Sequence, residues 1–298
     1  MGRLARGAHG VLLALLSGCT PTPGSTDASD TSTSDVTTGG GAHDVSSDAA
    51  SESAGDRAQC VDDHVGDLVI DASSELDEYR TLRSVSGQLV VRDLVGVTDL
   101  AFLSCLEEVG DWLTVAENPN LVSLHGLGAV HSIGMATGYR GLNIASNPSL
   151  LAVDGLDSLT YVPDVGIHGN DSLVSLGLSA LESVDAITLG GCSQPEQLGP
   201  AMGTGSNDAL VSLDGLESLQ DANFVTIGGQ QNLASIDSLI ALSNAGVDLG
   251  GVTIQYNPQL PIEDIEQLMA SQGHAVHEDY VCGNLGGAQE CDCFLGGD

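Results

Sequence analysis

From about Gly66 onward the chain repeats itself, and the period of this repeat constrains the fold more than any other feature. The cleanest copy starts at Gly141 and follows the pattern LxIxxNPxLxxLxGLxxLxxV. Leu142, Val165 and Ile187 open three successive copies, 23 and 22 residues apart. One short alternating strand per copy, with a period in the low twenties, is typical of a solenoid whose stacked coils share a core.

Eight copies begin with a three-residue strand whose first and third side chains are apolar. Such a strand points these two side chains inward and the middle one outward. One copy cannot bury its apolar residues alone, whereas eight stacked copies form a continuous apolar column. Aromatic residues make up only 3% of the chain, so this core is built from Leu, Val, Ile and Ala. The predicted strands begin at Leu68, Leu89, Leu113, Leu142, Val165, Ile187, Val225 and Val252.

In most copies a polar residue follows the second inward residue of the strand by three residues. This position holds Asn118, Asn147, Asn170 and Asn257 in the regular copies. Stacked Asn amides at this place can bond the backbone of neighbouring coils, so we predict a structural Asn ladder. Proline follows at positions 119, 148 and 258 and fixes φ at the corner. Ser73, Cys192 and Gln230 occupy the same position in the less regular copies.

The repeat resembles that of the receptor L-domain family, which is related to leucine-rich repeats. The resemblance rests on the phrases NPNLVSLHGLGAV (118–130), NPSLLAVDGLDSL (147–159) and NDALVSLDGLESL (207–219), and it covers about residues 60–270. It implies an all-β fold, a right-handed parallel β-helix of about eight coils. It also implies a recognition or surface scaffold rather than an enzyme.

The N-terminus resembles a bacterial lipoprotein signal. Arg3 and Arg6 precede an apolar run, and the small residues Ser17 and Gly18 stand directly before Cys19. In such a lipobox the cysteine is acylated and becomes the new N-terminus, which predicts a lipid anchor at Cys19 in the outer membrane, at the cell surface. An ordinary secretory signal with a chance cysteine is the alternative.

The predicted organisation has four parts: a signal peptide (1–18), a disordered tether (19–59), the L-domain-like solenoid (60–275) and a Cys-containing cap (276–298). The tether prediction follows from a Ser-, Thr-, Asp- and Gly-rich composition without large apolar residues. The chain contains seven basic residues, all arginine, against 41 acidic ones. This charge repels nucleic acid and anionic head groups, so neither is an expected partner.

Six cysteines remain once Cys19 is assigned to the lipid. An even number in an exported domain indicates disulfides, with Cys60 and Cys105 near the start of the solenoid and Cys282, Cys291 and Cys293 at its end. The connectivity and the fate of Cys192 stay open. Zinc bound by these last cysteines with His274 and His277 is the alternative, although the spacings do not match paired CxxC knuckles. Calcium at surface acid clusters also stays open, and no other cofactor is predicted.

The outward strand positions form the candidate binding face. Their side chains are mostly small and polar, and the sequence places no large aromatic among them. The face suits an extended partner such as an envelope polysaccharide or a surface protein. Its candidate residues are Arg92, Thr114, Asn143, His168, Thr188, Thr226, Thr253 and Gln255.

No catalytic motif accompanies the repeat. The chain contains no GxSxG, HExxH or P-loop sequence. We therefore expect a non-enzymatic recognition, adhesion or envelope-structural protein. The alternative is a polysaccharide lyase or hydrolase on a β-helix, which needs carboxylates together with Lys or Arg in one cleft.

Overall fold

Eight parallel strands, stacked in register, form one long face of the protein. The computed structural model describes residues 60–135, 140–191, 205–273 and 281–287. The predicted β-solenoid is confirmed, with one strand per coil and seven complete turns from the first strand to the last. These strands are β2 (Leu68–Ile70), β4 (Leu89–Arg92), β6 (Leu113–Ala116), β8 (Gly141–Ala145), β9 (Tyr161–His168), β10 (Ser183–Gly190), β11 (Asp221–Gly228) and β12 (Gly251–Gln255).

The two inward positions of each strand stack into columns that fill the interior. The second position is at most 1% exposed in all eight coils. The strand register aligns these residues directly, because each apolar residue pairs with its counterpart one coil away. Full burial of such a side chain contributes about 1.5–3 kcal/mol, so the columns are the main source of stability. Their second-position members are Ile70, Val91, Val115, Ile144, Ile167, Leu189, Ile227 and Ile254.

A second, shorter sheet covers another side of the first coils. It contains β1 (Asp62–His64), β3 (Leu82–Val85), β5 (Glu108–Val109) and β7 (Ser132–Ile133), again parallel. In the later coils β9, β10 and β11 are eight residues long and pair with each other at both ends. Residues 163 and 164 of β9 both lie between inward Val162 and inward Val165, so the strand turns a corner there.

The NPxL and GLxxL segments, which recur within the repeat, are tight turns. The amide of Leu150 donates to the carbonyl of Asn147 at 3.0 Å, which closes a four-residue turn with Pro148 at its second position. The amide of Leu159 donates to the carbonyl of Leu156 at 3.0 Å in the same way. These turns bring the chain around the coil without a helix.

Within the described residues, two α-helices add to the largely all-β fold. Helix α1 (Asp237–Asn244) lies between β11 and β12, and α2 (Ile262–Ser271) follows β12. Ser243 and Ser271 touch through their hydroxyl oxygens at 2.5 Å, so the two helices pack side by side. Helix α2 begins directly after Pro261 and carries two acids in its first turn, a favourable start for a helix. The strand period dominates the sequence pattern in this region and hides these two short helical segments.

The Asn ladder is confirmed and is longer than predicted. Asn118 accepts the backbone N–H of Leu94 at 3.1 Å, and each later ladder side chain accepts that of the preceding ladder residue at 3.0–3.1 Å. Each Asn also donates through Nδ2 to a strand carbonyl of the preceding coil, at 2.8–3.2 Å. All its members are buried. They are Asn118, Asn147, Asn170, Asn207, Gln230, Asn257 and Asn284.

Asn207, and not Cys192, fills the ladder position of the β10 coil. Asn207 Oδ1 accepts the amide of Asn170, and Asn207 Nδ2 donates to the carbonyl of Ile167. Gly205 returns the chain to the corner, where its carbonyl accepts the amide of Gly169. The long insertion therefore separates strand and ladder residue in this coil, which is why counting three residues from the strand pointed to Cys192. Cys192 lies outside the described residues.

A left-handed residue stands directly before each ladder side chain from Asn118 onward, except in the β10 coil. Glu117, Ser146 and Tyr256 hold φ between 54° and 58°, whereas glycine takes the same place at positions 169, 229 and 283. This conformation is unfavourable for side chains other than glycine, asparagine and aspartate. The buried amide bonds of the ladder hold the backbone in it.

Two of the candidate disulfide cysteines are paired with each other near the start of the solenoid, a connectivity that the sequence left open. Cys60 and Cys105 are bonded, with their Cα atoms 5.3 Å apart and a sequence separation of 45 residues. Cys282 is fully buried and also disulfide-bonded. Cys19, Cys291 and Cys293 lie outside the described residues, as do the signal peptide and the tether.

Residues 281–287, assigned from sequence to a separate cap, stack on the last coil. The carbonyl of Cys282 accepts the amide of Tyr256 at 2.7 Å, and Leu285 forms a parallel bridge with Pro261. Asn284 continues the ladder. The solenoid pattern therefore extends into this segment.

We predict that Asn147→Ala lowers the free energy of unfolding by about 2–4 kcal/mol. The Asn147 amide accepts two hydrogen bonds from Asn118 and donates to Val115 and Asn170, so its removal leaves several buried polar groups unpaired. Chemical denaturation followed by circular dichroism measures the change.

Asn120→Ala is the matched control. Asn120 lies two residues beyond the ladder position and accepts the amide of Gly96 at the surface. Its replacement is expected to cost less than about 1 kcal/mol, because water replaces the lost bond. Equal losses in the two variants would contradict the structural role of the ladder.

Candidate binding surface

The middle positions of the eight stacked strands form a continuous outer row. From the first coil to the last the row reads Val69, Val90, Thr114, Asn143, Gly166, Thr188, Thr226 and Thr253. All are short or medium side chains, so the face is flat. The last three, which we call the Thr rank, lie directly side by side on β10, β11 and β12, and each is partly exposed.

Three residues predicted to lie on the exposed face are buried instead. Asn143 is 6%, His168 4% and Gln255 2% exposed. Gly166 explains the first two, because Oδ1 of Asn143 and the imidazole of His168 lie 3.4–3.8 Å from the place where a Cβ of Gly166 would stand. Gln255 is registered beside Gly228, which likewise has no side chain. A glycine in the outer row lets longer polar neighbours fold down onto the sheet, and the sequence prediction missed this.

Burial changes the chemistry of His168. Desolvation lowers the pKa of its imidazole from 6.5 to about 4, so the ring is neutral at physiological pH. A neutral buried imidazole packed with Asn143 over Gly166 has a structural role in the sheet. It does not present a charge to a partner.

Phe224 is an exposed aromatic residue on this side of the molecule, and the sequence prediction overlooked it. It stands on β11 two residues before Thr226 and is 61% exposed. The register sets it between Ala186 of β10 and Gly251 of β12. Because β11 was predicted to begin at Val225, Phe224 was not included among the outward strand positions. The pattern ANFVTIGG contains the signal, since an aromatic residue two positions before the outward Thr lies on the same side.

Carboxyl groups gather where the long strands turn the corner. Asp185 accepts hydrogen bonds from the Tyr161 hydroxyl at 3.3 Å and from Nδ2 of Asn223 at 3.2 Å. Asp221 accepts from the hydroxyl of Ser183 at 2.8 Å. Burial, together with the nearby charge of Asp185, raises the pKa of the Asp164 carboxyl. The pKa of Tyr161 is raised chiefly by burial and then by Asp185 and Asp221. We call Tyr161, Asp164, Asp185, Asp221 and Asn223 the corner cluster.

The basic residues within the described ranges are engaged elsewhere. Arg83 forms an ion pair with Asp63 at 2.6 Å and Arg140 with Asp111 at 2.7 Å. Arg80 forms an ion pair with Asp77, three residues earlier in the chain. Arg92, predicted as part of the face, is exposed and lies 3.8 Å from the carboxylate of Asp93. None of the ion pairs formed by these residues includes a member of the corner cluster.

A second exposed feature is a row of aliphatic side chains that follow the ladder positions in sequence, which we call the aliphatic ridge. Val122, Leu151, Val174 and Val211 occupy the same position in four consecutive coils, and they are 38–53% exposed. Backbone hydrogen bonds join the first three, from the amide of Leu151 to Val122 and from that of Val174 to Leu151. The repeat phrases carry the signal as LV or LL pairs, in which the first residue points inward and the second outward.

Neither a metal site nor a membrane-spanning helix appears in the part of the chain that the structure describes. No group of three or more His, Cys, Asp or Glu side chains there is placed to hold an ion. No helix there is both long and apolar enough to cross a bilayer. His274 and His277, the residues of the zinc alternative, lie outside this part. Most of residues 134–140 and 193–205, the two insertions of the repeat, also lies outside it.

Comparison with known proteins found no family model, no curated protein and no solved structure that matches this chain.

The buried imidazole predicts a pH-dependent stability. The folded-state pKa of His168 lies below the unfolded value, so the unfolded chain takes up a proton first as the pH falls from 6.5 toward 4. We expect this to remove about 3 kcal/mol of stability over that interval. In His168→Gln we expect the free energy of unfolding to fall about 3 kcal/mol less between pH 7 and pH 4 than in the unsubstituted chain. Denaturant unfolding at a series of pH values measures this difference.

His125→Gln serves as the control, since His125 is exposed to solvent. Other groups titrate in the same range, so the readout is the difference between each variant and the unsubstituted chain. An unchanged pH profile in His168→Gln would contradict the buried neutral imidazole.

Proposed function

We propose that this chain is a non-enzymatic recognition or adhesion protein displayed at a bacterial cell surface. The observation that carries the proposal is the flat outer face of the eight-stranded sheet, on which the Thr rank and Phe224 lie side by side. Parallel strands repeat every ~4.8 Å, so such a face offers regularly spaced hydroxyl groups to an extended partner. Contact with an envelope polysaccharide or a surface protein follows from this arrangement.

The anchor and the family assignment belong to the same proposal. In this proposal Cys19 carries the lipid in the outer membrane, residues 19–59 are the tether, and the solenoid is receptor L-domain-like. Support for the L-domain comparison comes from the coil itself, where an NPxL turn follows each regular strand and an apolar GLxxL turn closes the coil. Support for surface display comes from the acidity of the chain and from the disulfide between Cys60 and Cys105, which suits an oxidising compartment.

A polysaccharide-active enzyme is the second candidate, and the corner cluster is the observation that bears on it. Asp164 and Asp185 form a carboxyl pair in which burial raises the pKa of Asp164, as a general acid requires. Against this assignment, Asp185 is already bonded by Tyr161 and Asn223, and no arginine of the described residues pairs with the cluster. Release of reducing sugar or of unsaturated product during the binding assays below would favour the enzyme.

Lipid anchoring predicts that Cys19→Ala moves the protein out of the membrane fraction. The thiol that carries the acyl chains is then absent, and no other anchor is proposed. Fractionation of expressing cells followed by immunoblotting measures the distribution. Ser17→Ala, which keeps a small residue before Cys19, is the control and is expected to remain with membranes. Retention of Cys19→Ala in the membrane fraction would refute the anchor.

The recognition surface is tested by removing the three hydroxyl groups of the Thr rank. The full chain in detergent is titrated against a panel of envelope polysaccharides and intact cells. The triple variant Thr188→Val, Thr226→Val, Thr253→Val keeps the shape and strand preference of each residue, and it is expected to bind at least tenfold more weakly. Each lost hydrogen bond accounts for about 0.5–1.5 kcal/mol.

Thr98→Val with Thr160→Val is the matched control, because both threonines are exposed and lie outside the Thr rank. Binding that is lost equally in both variants, or unchanged in the triple variant, would exclude the sheet face as the contact surface. Absence of binding by the unsubstituted chain to every member of the panel would contradict the proposed recognition function itself.

A further inference from the structure

We propose that Phe224 and the polar groups beside it form a subsite for a neutral polysaccharide chain, with the aromatic ring as the platform for one sugar unit. This inference rests on the proposed recognition function and specifies the ligand class and the place of contact. The subsite consists of Phe224, Asn223 and Asp185 at the corner, with Thr226 on the adjoining sheet face.

Gly251 determines how the ring of Phe224 lies. The Cδ1 and Cε1 atoms of the ring are 2.9 and 3.2 Å from the place where a Cβ of Gly251 would stand. A side chain at position 251 would therefore occupy the space that this side of the ring uses. The ring of Phe224 therefore lies over Gly251 of β12, and Phe224 remains 61% exposed. Large exposed apolar groups held in place on a rigid element are typical of binding sites.

The surroundings of the ring supply hydrogen-bonding groups of the kind that sugar hydroxyls use. Asn223 precedes Phe224 and donates to Asp185 through Nδ2 at 3.2 Å, which leaves its carbonyl oxygen oriented by that bond. The Asp185 carboxylate also accepts from Tyr161. Two carboxylate oxygens offer about four acceptor sites, so Asp185 retains capacity for a ligand hydroxyl. An apolar ring bordered by fixed acceptors and a Thr hydroxyl matches a sugar ring, which has an apolar face of C–H groups and a polar rim.

Charge selects the neutral class of polysaccharide. Asp164, Asp185 and Asp221 surround the corner, and the ion pairs of the described arginines lie elsewhere. Uronates, sulfated glycans and phosphate-bearing polymers would meet uncompensated negative charge there. A neutral sugar loses nothing to this repulsion and gains charge-assisted hydrogen bonds to the carboxylates.

A polymer, and not a free sugar, is the expected ligand, because the subsite adjoins a longer contact surface. Thr226, the middle member of the Thr rank, lies two residues from Phe224 on the same strand, and the rank spans three strands. A chain stacked on Phe224 can continue along these hydroxyls and add contacts that a monosaccharide does not reach.

Isothermal titration of the full chain in detergent tests the subsite with three soluble probes: laminarin as a neutral glucan, polygalacturonate as an anionic polymer and glucose as the free sugar. We expect laminarin to bind, glucose at the same mass concentration to compete poorly, and polygalacturonate not to bind. Phe224→Ala is expected to weaken laminarin binding about tenfold, and Phe224→Trp to preserve it.

Gly251→Ala tests whether the position of the Phe224 ring matters when the aromatic residue itself is kept. The added methyl group displaces the Phe224 ring from its resting place, so laminarin binding is expected to fall although the aromatic residue remains. Val211→Ala is the control, since Val211 is 52% exposed on the aliphatic ridge and its loss should leave binding unchanged. Thermal unfolding of each variant verifies that the solenoid is intact.

The outcomes distinguish this inference from the proposed function. Undiminished laminarin binding in Phe224→Ala, or stronger binding of polygalacturonate than of laminarin, would overturn the subsite even where the Thr rank still binds a partner. Binding of a surface protein alone, with no affinity for laminarin, would overturn the subsite and leave the recognition function standing. Loss of binding in Phe224→Ala and Gly251→Ala, with Val211→Ala and Phe224→Trp unaffected, would establish it.

Discussion

The buried amide ladder is the interaction on which the rest of the structure depends. A solenoid must turn its chain at every coil, and each turn removes backbone groups from water where no sheet partner exists. The ladder side chains satisfy these groups, because each accepts a backbone N–H of the preceding coil and each Asn among them also donates to a strand carbonyl of that coil. An unpaired group at such a place would cost about 1–3 kcal/mol. The ladder also fixes the distance between coils, so the aliphatic columns stack in register and the left-handed residues before it are held in place.

This fixed spacing makes the outer face a rigid surface whose chemistry depends on single residues. Where Thr occupies the outer row, the hydroxyls stay partly exposed and evenly spaced. Where Gly166 occupies it, the longer side chains Asn143 and His168 fold down and become buried. Where the strand is extended to eight residues, the corner carries Phe224 and its polar neighbours. A small change in one coil therefore alters the surface locally without disturbing the core, a property that suits a recognition scaffold.

Electrostatics decides which partners such a surface accepts. The chain is strongly acidic, and the corner cluster concentrates carboxyl groups beside the exposed aromatic ring. Partial burial, and then the nearby charge of Asp185, raises the pKa of the Asp164 carboxyl. Anionic polymers are repelled from this region, whereas hydroxyl groups find acceptors. A strongly charged domain also resists self-association.

The sequence by itself determined the periodic part of this protein. Every strand of the eight-stranded sheet, the inward columns, four ladder residues and the Cys60–Cys105 region were predictable, because apolar period and corner residues recur at fixed offsets. Tertiary structure alone decided what depends on neighbours in adjacent coils. Asn207 replaces Cys192 because an insertion separates strand and ladder; His168 is buried because Gly166 on its own strand leaves space beside Asn143; and Phe224 is presented because Gly251 of the next strand makes room for its ring. A single coil does not encode these facts, since the contacts that create them join residues 23 to 40 positions apart or lie across the sheet register.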